Sequence, residues 1–298
     1  MLGSWPRWLI IAMLVSAFII CPLALAASQV ILPTQENREA QIPVTAAEEF
    51  AGCGGNAIPV VNDAYEQKVV ELTNQVRAEK GLDPLKRVDE LNRSARYHAA
   101  DMNSDDYFSH ETFDRVQGSL AEVCDTWSRI SHYYTEWTAL AENIAAGQRS
   151  PEIAMDGWMN SPDHYHNIIS DQYREIGTGY FKGDSTYQHY WVQNFGLNEG
   201  RFPVIISGEV ERVYDPDVNV FIHGTWLEMR LQVNDGDWSD WKPFSRTLDF
   251  ELPGAPGEYT ITAELYDGIE RTFSSDTVIL AEPDTAINTL FSALWLNH

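Results

Sequence analysis

Basic residues are scarce in this chain: 20 Lys and Arg stand against 44 Asp and Glu over 298 residues, a formal net charge of −24. No run of Lys or Arg occurs. Clustered cations are what release the counterions of a polyanion, so nucleic acid is excluded as a partner. The acid excess makes a self-repelling surface and names no ligand. Cysteine is equally sparse, with Cys21, Cys53 and Cys124 the whole set. There is no Cys-x-x-Cys, no His-Glu-x-x-His, no Gly-x-Ser-x-Gly and no glycine-rich phosphate loop opening a helix. Their absence argues against paired-thiol metal sites, zincin chemistry, a serine nucleophile elbow, and nucleotide or dinucleotide enzymes.

Apolar residues make up 44% and aromatics 12%, enough for packed cores. The length suits roughly two domains of about 150 residues each. Arg7 precedes an apolar stretch, Trp8–Ala26, interrupted by Pro22 and ending in Ala24-Leu25-Ala26. The small-x-small ending reads as a secretory signal over 1–26, cut after Ala26. An uncleaved membrane anchor is the alternative, since the run nearly reaches the ~20 residues that span a bilayer. Cleavage leaves Cys53 and Cys124, and two cysteines in an exported chain imply one disulfide between them.

Residues 27–57 are polar, carry Pro33, Pro43 and Gly52-Cys53-Gly54-Gly55, and read as a linker. Val69, Val70, Leu72, Val76 and Leu82 fall close to helical spacing, and Gly81 is a natural C-terminal stop. Asp89 is placed to cap a second helix with Leu91, Ala95, His98 and Met102 on one face. Residues 111–135 read as irregular. Ser150-Pro151-Glu152 and Ser161-Pro162-Asp163 are cap-and-proline starts of two further helices. Glu175–Phe181 and Tyr190–Phe195 are strand-like, with a turn composition between them. Helices precede a hairpin, so this unit, 58–198, is α+β. From 201 to 283 the period becomes two: Leu227, Met229, Leu231 and Val233 in one run, Tyr259, Ile261, Ala263 and Leu265 in another. That alternation, with Asn234-Asp235-Gly236 and Asp267-Gly268 as turns, predicts an all-β antiparallel sandwich. Ile287, Leu290, Phe291, Leu294 and Trp295 predict a short amphipathic helix over 284–298.

Chemistry is left to histidine and carboxylate. His110, Glu142 and His164 lie in separate segments, and imidazole with carboxylate suits a divalent metal such as Zn. His98 reads as a core residue, and His132, His166 and His189 as surface residues.

The order of segments carries a resemblance: Leu72-Thr73-Asn74-Gln75-Val76-Arg77, Tyr107-Phe108-Ser109-His110, Ala141-Glu142-Asn143-Ile144-Ala145, Trp158 to His164, Glu175-Ile176-Gly177-Thr178-Gly179 and Tyr190 to Gly196. The series resembles the bacterial branch of the CAP superfamily of cysteine-rich secretory, antigen 5 and pathogenesis-related proteins, over about 62–197. The resemblance implies a CAP-type α-β-α sandwich whose cleft holds two His and two Glu and, in several members, a divalent metal. His110, Glu142 and His164 match three of these positions. Ser161 stands where the second glutamate is expected, and Asp163 or Glu175 is left as the candidate extra carboxylate. The second unit, with Trp238-Ser239-Asp240-Trp241, resembles the immunoglobulin-like modules of bacterial exported proteins.

The reading is a secreted binding module whose cleft takes a divalent metal or a lipid or other small apolar ligand. One alternative is a metal-dependent hydrolase of extracellular or envelope polymer. Another is a carbohydrate-binding adhesin that meets envelope or extracellular glycan through Trp226, Trp238 and Trp241. If the signal is cut as read, N-terminal sequencing of the protein collected outside the cell begins at Ala27. A membrane-retained chain with Met1 intact gives the anchor instead.

Overall fold

The structure, a computed structural model, describes residues 51–56 and 58–282. The expected signal, the first part of the linker and the expected C-terminal helix lie outside the described residues. Helix α1 spans Asp63–Glu79, with the Asn62 side chain accepting from the Tyr65 N–H at 3.1 Å. Strand β1 is Lys86–Arg87, and α2 follows over Asp89–Ser104. Asp89 is not the cap. The cap position is Val88, and Asp89 sits with Glu90 in the first turn, where carboxylates meet the positive end of the helix.

The segment read as irregular, 111–135, is ordered. It holds β2, Thr112–Val116, and β3, Ser119–Cys124, turned through Gln117 and Gly118 at positive φ, then α3, Thr126–Ser131. Strand β3 is almost wholly exposed and β2 is buried only at its start, so they carry little of the apolar alternation that marks a half-buried strand. Asp125 caps α3, accepting from Trp127 N and Ser128 N at 2.9 Å each. Strand β4, Ala139–Ala146, is rich in alanine, which has no strand preference, and its pairing along β6 holds it extended. Helices α4, Pro151–Met159, and α5, Pro162–Ile169, both start on a proline, as their sequence predicts. Strands β5, Glu175–Lys182, and β6, His189–Leu197, form the expected hairpin.

These strands make one sheet in the order β1-β5-β6-β4. Alternation along them sorts side chains between two cores. Ala141, Ala145, Ile176, Tyr180, Trp191 and Phe195 pack with residues of α1, α4 and α5. Ile144, Phe181, Tyr190 and Val192 pack with Ala95, Ala99 and Met102 of α2. The layers are therefore α-β-α. Two glycines set the spacing of the α2 layer: a Cβ on Gly177 would lie 2.1 Å from the Leu91 carbonyl carbon, and one on Gly179 would lie 2.2 Å from that of Ala95. The helix backbone thus rests directly on β5.

Beyond Gly200 come β7 Val204–Ile206, β8 Arg212–Val213, β9 Asp217–Ile222, β10 Glu228–Val233, β11 Lys242–Pro243, β12 Thr247–Glu251, β13 Gly257–Tyr266 and β14 Arg271–Leu280. They form two sheets, β11-β10-β13-β14-β8 and β12-β9-β7, with every pairing antiparallel except β14 with β8. The inward sets of both sheets close one core, including Val220, Ile222, Leu231, Ile261, Leu265 and Val278. Trp226 packs edge-on to Phe202 at 4.8 Å. Arg230 lies 4.8 Å over the Trp238 ring and 5.0 Å over that of Trp241, and Arg271 lies 5.3 Å over Trp241. The buried Glu264 pairs with both arginines. These tryptophans are half-buried members of the sandwich wall.

The sandwich is fastened to β1. Lys86 Nζ meets Glu209 at 2.8 Å and also contacts the Asp276 carboxylate, and all three groups are largely buried. Gln67 donates to the Glu209 carbonyl at 2.6 Å and Asn74 to that of Gly208 at 3.0 Å.

Because the clash at Gly179 is with backbone, no rotamer relieves it. Gly179→Ala is expected to cost about 3 kcal/mol, at the upper end of ordinary overpacking, read as the shift in a urea unfolding curve.

Candidate functional site

Glu142 lies on the α2 side of β4, in register with Asn194 of β6, and its side chain is 1% exposed. A carboxylate so placed needs counter-charge. Arg129 of α3, itself fully buried, supplies it through Nη2. The same guanidinium donates through Nη1 to the His110 carbonyl at 2.8 Å and to Thr112 Oγ1 at 2.9 Å. The other carboxylate oxygen meets His110 Nδ1 at 2.9 Å. A carboxylate only accepts, so Nδ1 carries the hydrogen and Nε2 is the ring nitrogen that faces away from the pair. The His110 side chain is 45% exposed, so that nitrogen is open to a ligand.

Burial pushes the Glu142 carboxyl up, but the Arg129 guanidinium, with His98 and His110, overrides it and holds the pKa at about 2. His98 is buried 4.0 Å from the Glu142 carboxylate, with Nε2 2.8 Å from the Ser109 carbonyl. Burial, then the Arg129 charge, depress its pKa to about 3, so the ring is neutral. The expectation of a core histidine holds for its burial, and its position behind Glu142 adds a role that spacing did not give.

On the opposite face of β4, Asn143 bonds Gln193 at 2.9 Å, and Asn167 of α5 bonds Asn143 at 2.9 Å. This buried amide chain seats α5 against the strand. His164 is on α5, half-buried. Burial and then the charge of His110 lower its pKa, while Asp163 raises it. Above the Glu142 pair opens a cavity of about 410 Å³, lined among others by His110, Trp127, Leu140, Glu142, Asn167 and Tyr173. His164 is not among its walls. Neither is Glu175, whose buried carboxylate is held by the Tyr134 hydroxyl and by Arg201. Asp163 is exposed on α5, and His166 is exposed beside it. Cys53 and Cys124 form a disulfide that ties the start of the described chain to the end of β3.

Residues 70–195 match the model of the CAP, or cysteine-rich secretory protein, family. That stretch is a CAP domain. The chain shares 34% identity over 160 residues with the uncharacterized protein YkwD of Bacillus subtilis (strain 168), covering 54% of this chain and 56% of that one. The uncharacterized membrane protein YlbC of the same organism is 28% identical over 135 residues, 45% of this chain and 35% of that one. The chain thus spans about half the length of the first relative and about a third of the second. Among solved structures, an extracellular SCP-domain protein of Bacillus anthracis str. Ames is 26% identical, covers 46% of this chain and 41% of that one, and has a TM-score of 0.39. An outer surface protein of Borrelia burgdorferi is 21% identical, with 44% and 90% covered and a TM-score of 0.37.

Whether a divalent metal fits the CAP cleft is decided by the donors. One oxygen of Glu142 is engaged by His110 and the other by a guanidinium, which already stands where a cation would be drawn. Ser161 adds no charge. Among the described residues, His110, Glu142 and His164 are not gathered as a ligand set: the one group of three or more His, Cys, Asp or Glu with ligand atoms within 4.8 Å of each other is Asp101, Asp105 and Asp114. As arranged, the cleft does not fit a divalent ion. The residue that sequence reasoning missed is Arg129. Its signal was Asp125, just ahead of Thr126-Trp127-Ser128-Arg129, a capping pattern that starts a helix and so aims the arginine inward.

Arg129→Met leaves a buried carboxylate without its partner and is expected to cost about 3–5 kcal/mol at pH 7. Adding Glu142→Leu restores most of that loss in the same urea titration, because the orphaned charge is gone. Both shifts also set an acid limit. His98 and Glu142 have folded pKa values below their ordinary 6.5 and 4.5, so the stability they give is present above those values. It is lost as pH falls toward about 3 and then 2, and the urea midpoint should drop through that window.

Proposed function

We propose that the chain works outside the cell as a binding module, and that its ligand occupies the cavity above the His110–Glu142 pair. The support for export is the Arg7, Trp8–Ala26 and Ala24-Leu25-Ala26 signal, together with the Cys53–Cys124 disulfide, a bond that persists in oxidising compartments. On this reading the sandwich is a spacer of immunoglobulin-like type that carries the CAP domain clear of its attachment.

One observation carries the reading of binding: the cavity sets an apolar wall against a polar one that also includes Glu111, Asp125 and Thr126. Trp127, Leu140, Ala141 and Tyr173 offer the wall, and His110 Nε2 and Asn167 offer the hydrogen-bonding edge. That is the composition of a small-molecule site. Glu142 is committed to Arg129 and His110, so its role is to orient the imidazole. The ligand this set fits is a small neutral amphiphile, with an apolar body and a hydroxyl or amide head. A cavity of about 410 Å³ admits one such molecule.

The test is calorimetric titration with octyl glucoside below its micelle concentration. Saturable binding by the wild type is expected, with at least a roughly tenfold loss in Trp127→Ala and in His110→Ala, about 1.4 kcal/mol each. Heat from Zn²⁺ alone that disappears in Glu142→Gln would replace this reading with a metal centre.

A further inference from the structure

We propose that Asp101, Asp105 and Asp114 form a Ca²⁺ site, separate from the CAP cleft, that clamps the β2–β3 hairpin to the end of α2. Each of the three offers one oxygen within 4.8 Å of the other two. A shell of oxygens at 2.3–2.6 Å from Ca²⁺ places them at most about 5 Å apart, so the three reach one ion. Carboxylate oxygen is the donor that hard cations take.

An acidic cluster alone would not carry this. Asp101 is fully buried, and its Oδ2 accepts the Tyr107 hydroxyl. Its other oxygen, Oδ1, is shielded from water and has no hydrogen-bond partner among the described residues. A buried carboxylate oxygen without a donor costs free energy that an ion would recover. The surroundings make the cost larger. Asp101 and Asp105 end α2, where the helix dipole is negative, and the last turn holds no basic residue. No arginine or lysine pairs with any of the three among the described residues. Arg115, on the adjoining strand, spends its guanidinium on the carbonyls of Asp105 and Gly118, at 3.0 and 3.3 Å. The other contacts are weak neutral donors: Arg115 N to Asp105 at 2.9 Å and Gly52 N to Asp114 at 3.0 Å. Asp114 is only half-buried, which leaves a side open for water to complete the shell.

An ion here would join three pieces of chain: the end of α2, strand β2, and the Gly52 segment next to the Cys53–Cys124 bridge. The hairpin is otherwise largely exposed, so the clamp would fix the segment that leads from His110 to Trp127.

The experiment uses the full chain at pH 7.5. Calorimetry with CaCl₂ is expected to give one site per chain with a Kd of about 10⁻⁴–10⁻³ M, the range of extracellular Ca²⁺ modules. Ca²⁺ should also displace Tb³⁺, whose luminescence Tyr107 would sensitise. The Asp105→Asn, Asp114→Asn double variant should bind at least about a hundredfold more weakly, and its melting temperature should no longer rise with Ca²⁺. Should that variant fail to fold, Asp114→Asn alone, on the exposed hairpin, is expected to lose about tenfold or more. His110→Ala should bind Ca²⁺ as the wild type does. Absence of a saturable site in the wild type, unchanged affinity in the aspartate variants, or loss of binding in His110→Ala would each overturn the assignment.

Discussion

A guanidinium and a carboxylate, neither of them reached by water, organise the CAP domain. Arg129 and Glu142 sit on elements that share no backbone pairing, a one-and-a-half-turn helix and a sheet-edge strand. Each would be intolerable alone in that interior. The pair therefore requires α3 to dock on β4, and the remaining donors of the guanidinium then pin the His110 carbonyl and Thr112. The open imidazole, the cavity wall from Trp127 and the start of the hairpin all take their places from this one contact. The same pair closes the cleft to a divalent ion by presenting the positive charge from within the protein.

The α+β class, the all-β character of the later strands and most helix starts could be read from the chain because they rest on local signals. Cap-and-proline pairs at Ser150-Pro151 and Ser161-Pro162 are short-range chemistry, and period-two runs such as Leu227 to Val233 declare themselves. The hairpin and β4 could not be read that way. Ala139–Ala146 is a strand only because β6 lies beside it, and β2 and β3 present too little apolar surface to show a period. For the site, His110 and Glu142 were found from their place in the family-like series, and they touch. His164 came from the same series and sits half-buried on α5 within the electrostatic reach of His110, whereas Glu175 was a candidate with no motif behind it, and Tyr134 and Arg201 hold its carboxylate elsewhere. Arg129 was missed because a buried cation is visible only through the anion it faces.

The acid excess is managed differently in different places. On the surface it is solvated and needs no partner. Inside, it is met by close ion pairs of different count: Lys86 between Glu209 and Asp276, Arg129 with Glu142, and Glu264 held by two arginines over tryptophan. The shared cation is geometrically demanding, since loss of Lys86 strands two charges.

The sheet order β1-β5-β6-β4 gives the placement of these networks a mechanical meaning. The sandwich is bolted to the β1 edge, and the cavity opens over β4 at the other. Three strand spacings, about 14 Å, separate the two, and a continuous hydrogen-bonded ladder runs between them. A pull on the sandwich is thus delivered across the strands to an edge remote from the cleft. The CAP domain can bear load at one margin while the cavity at the other keeps its shape.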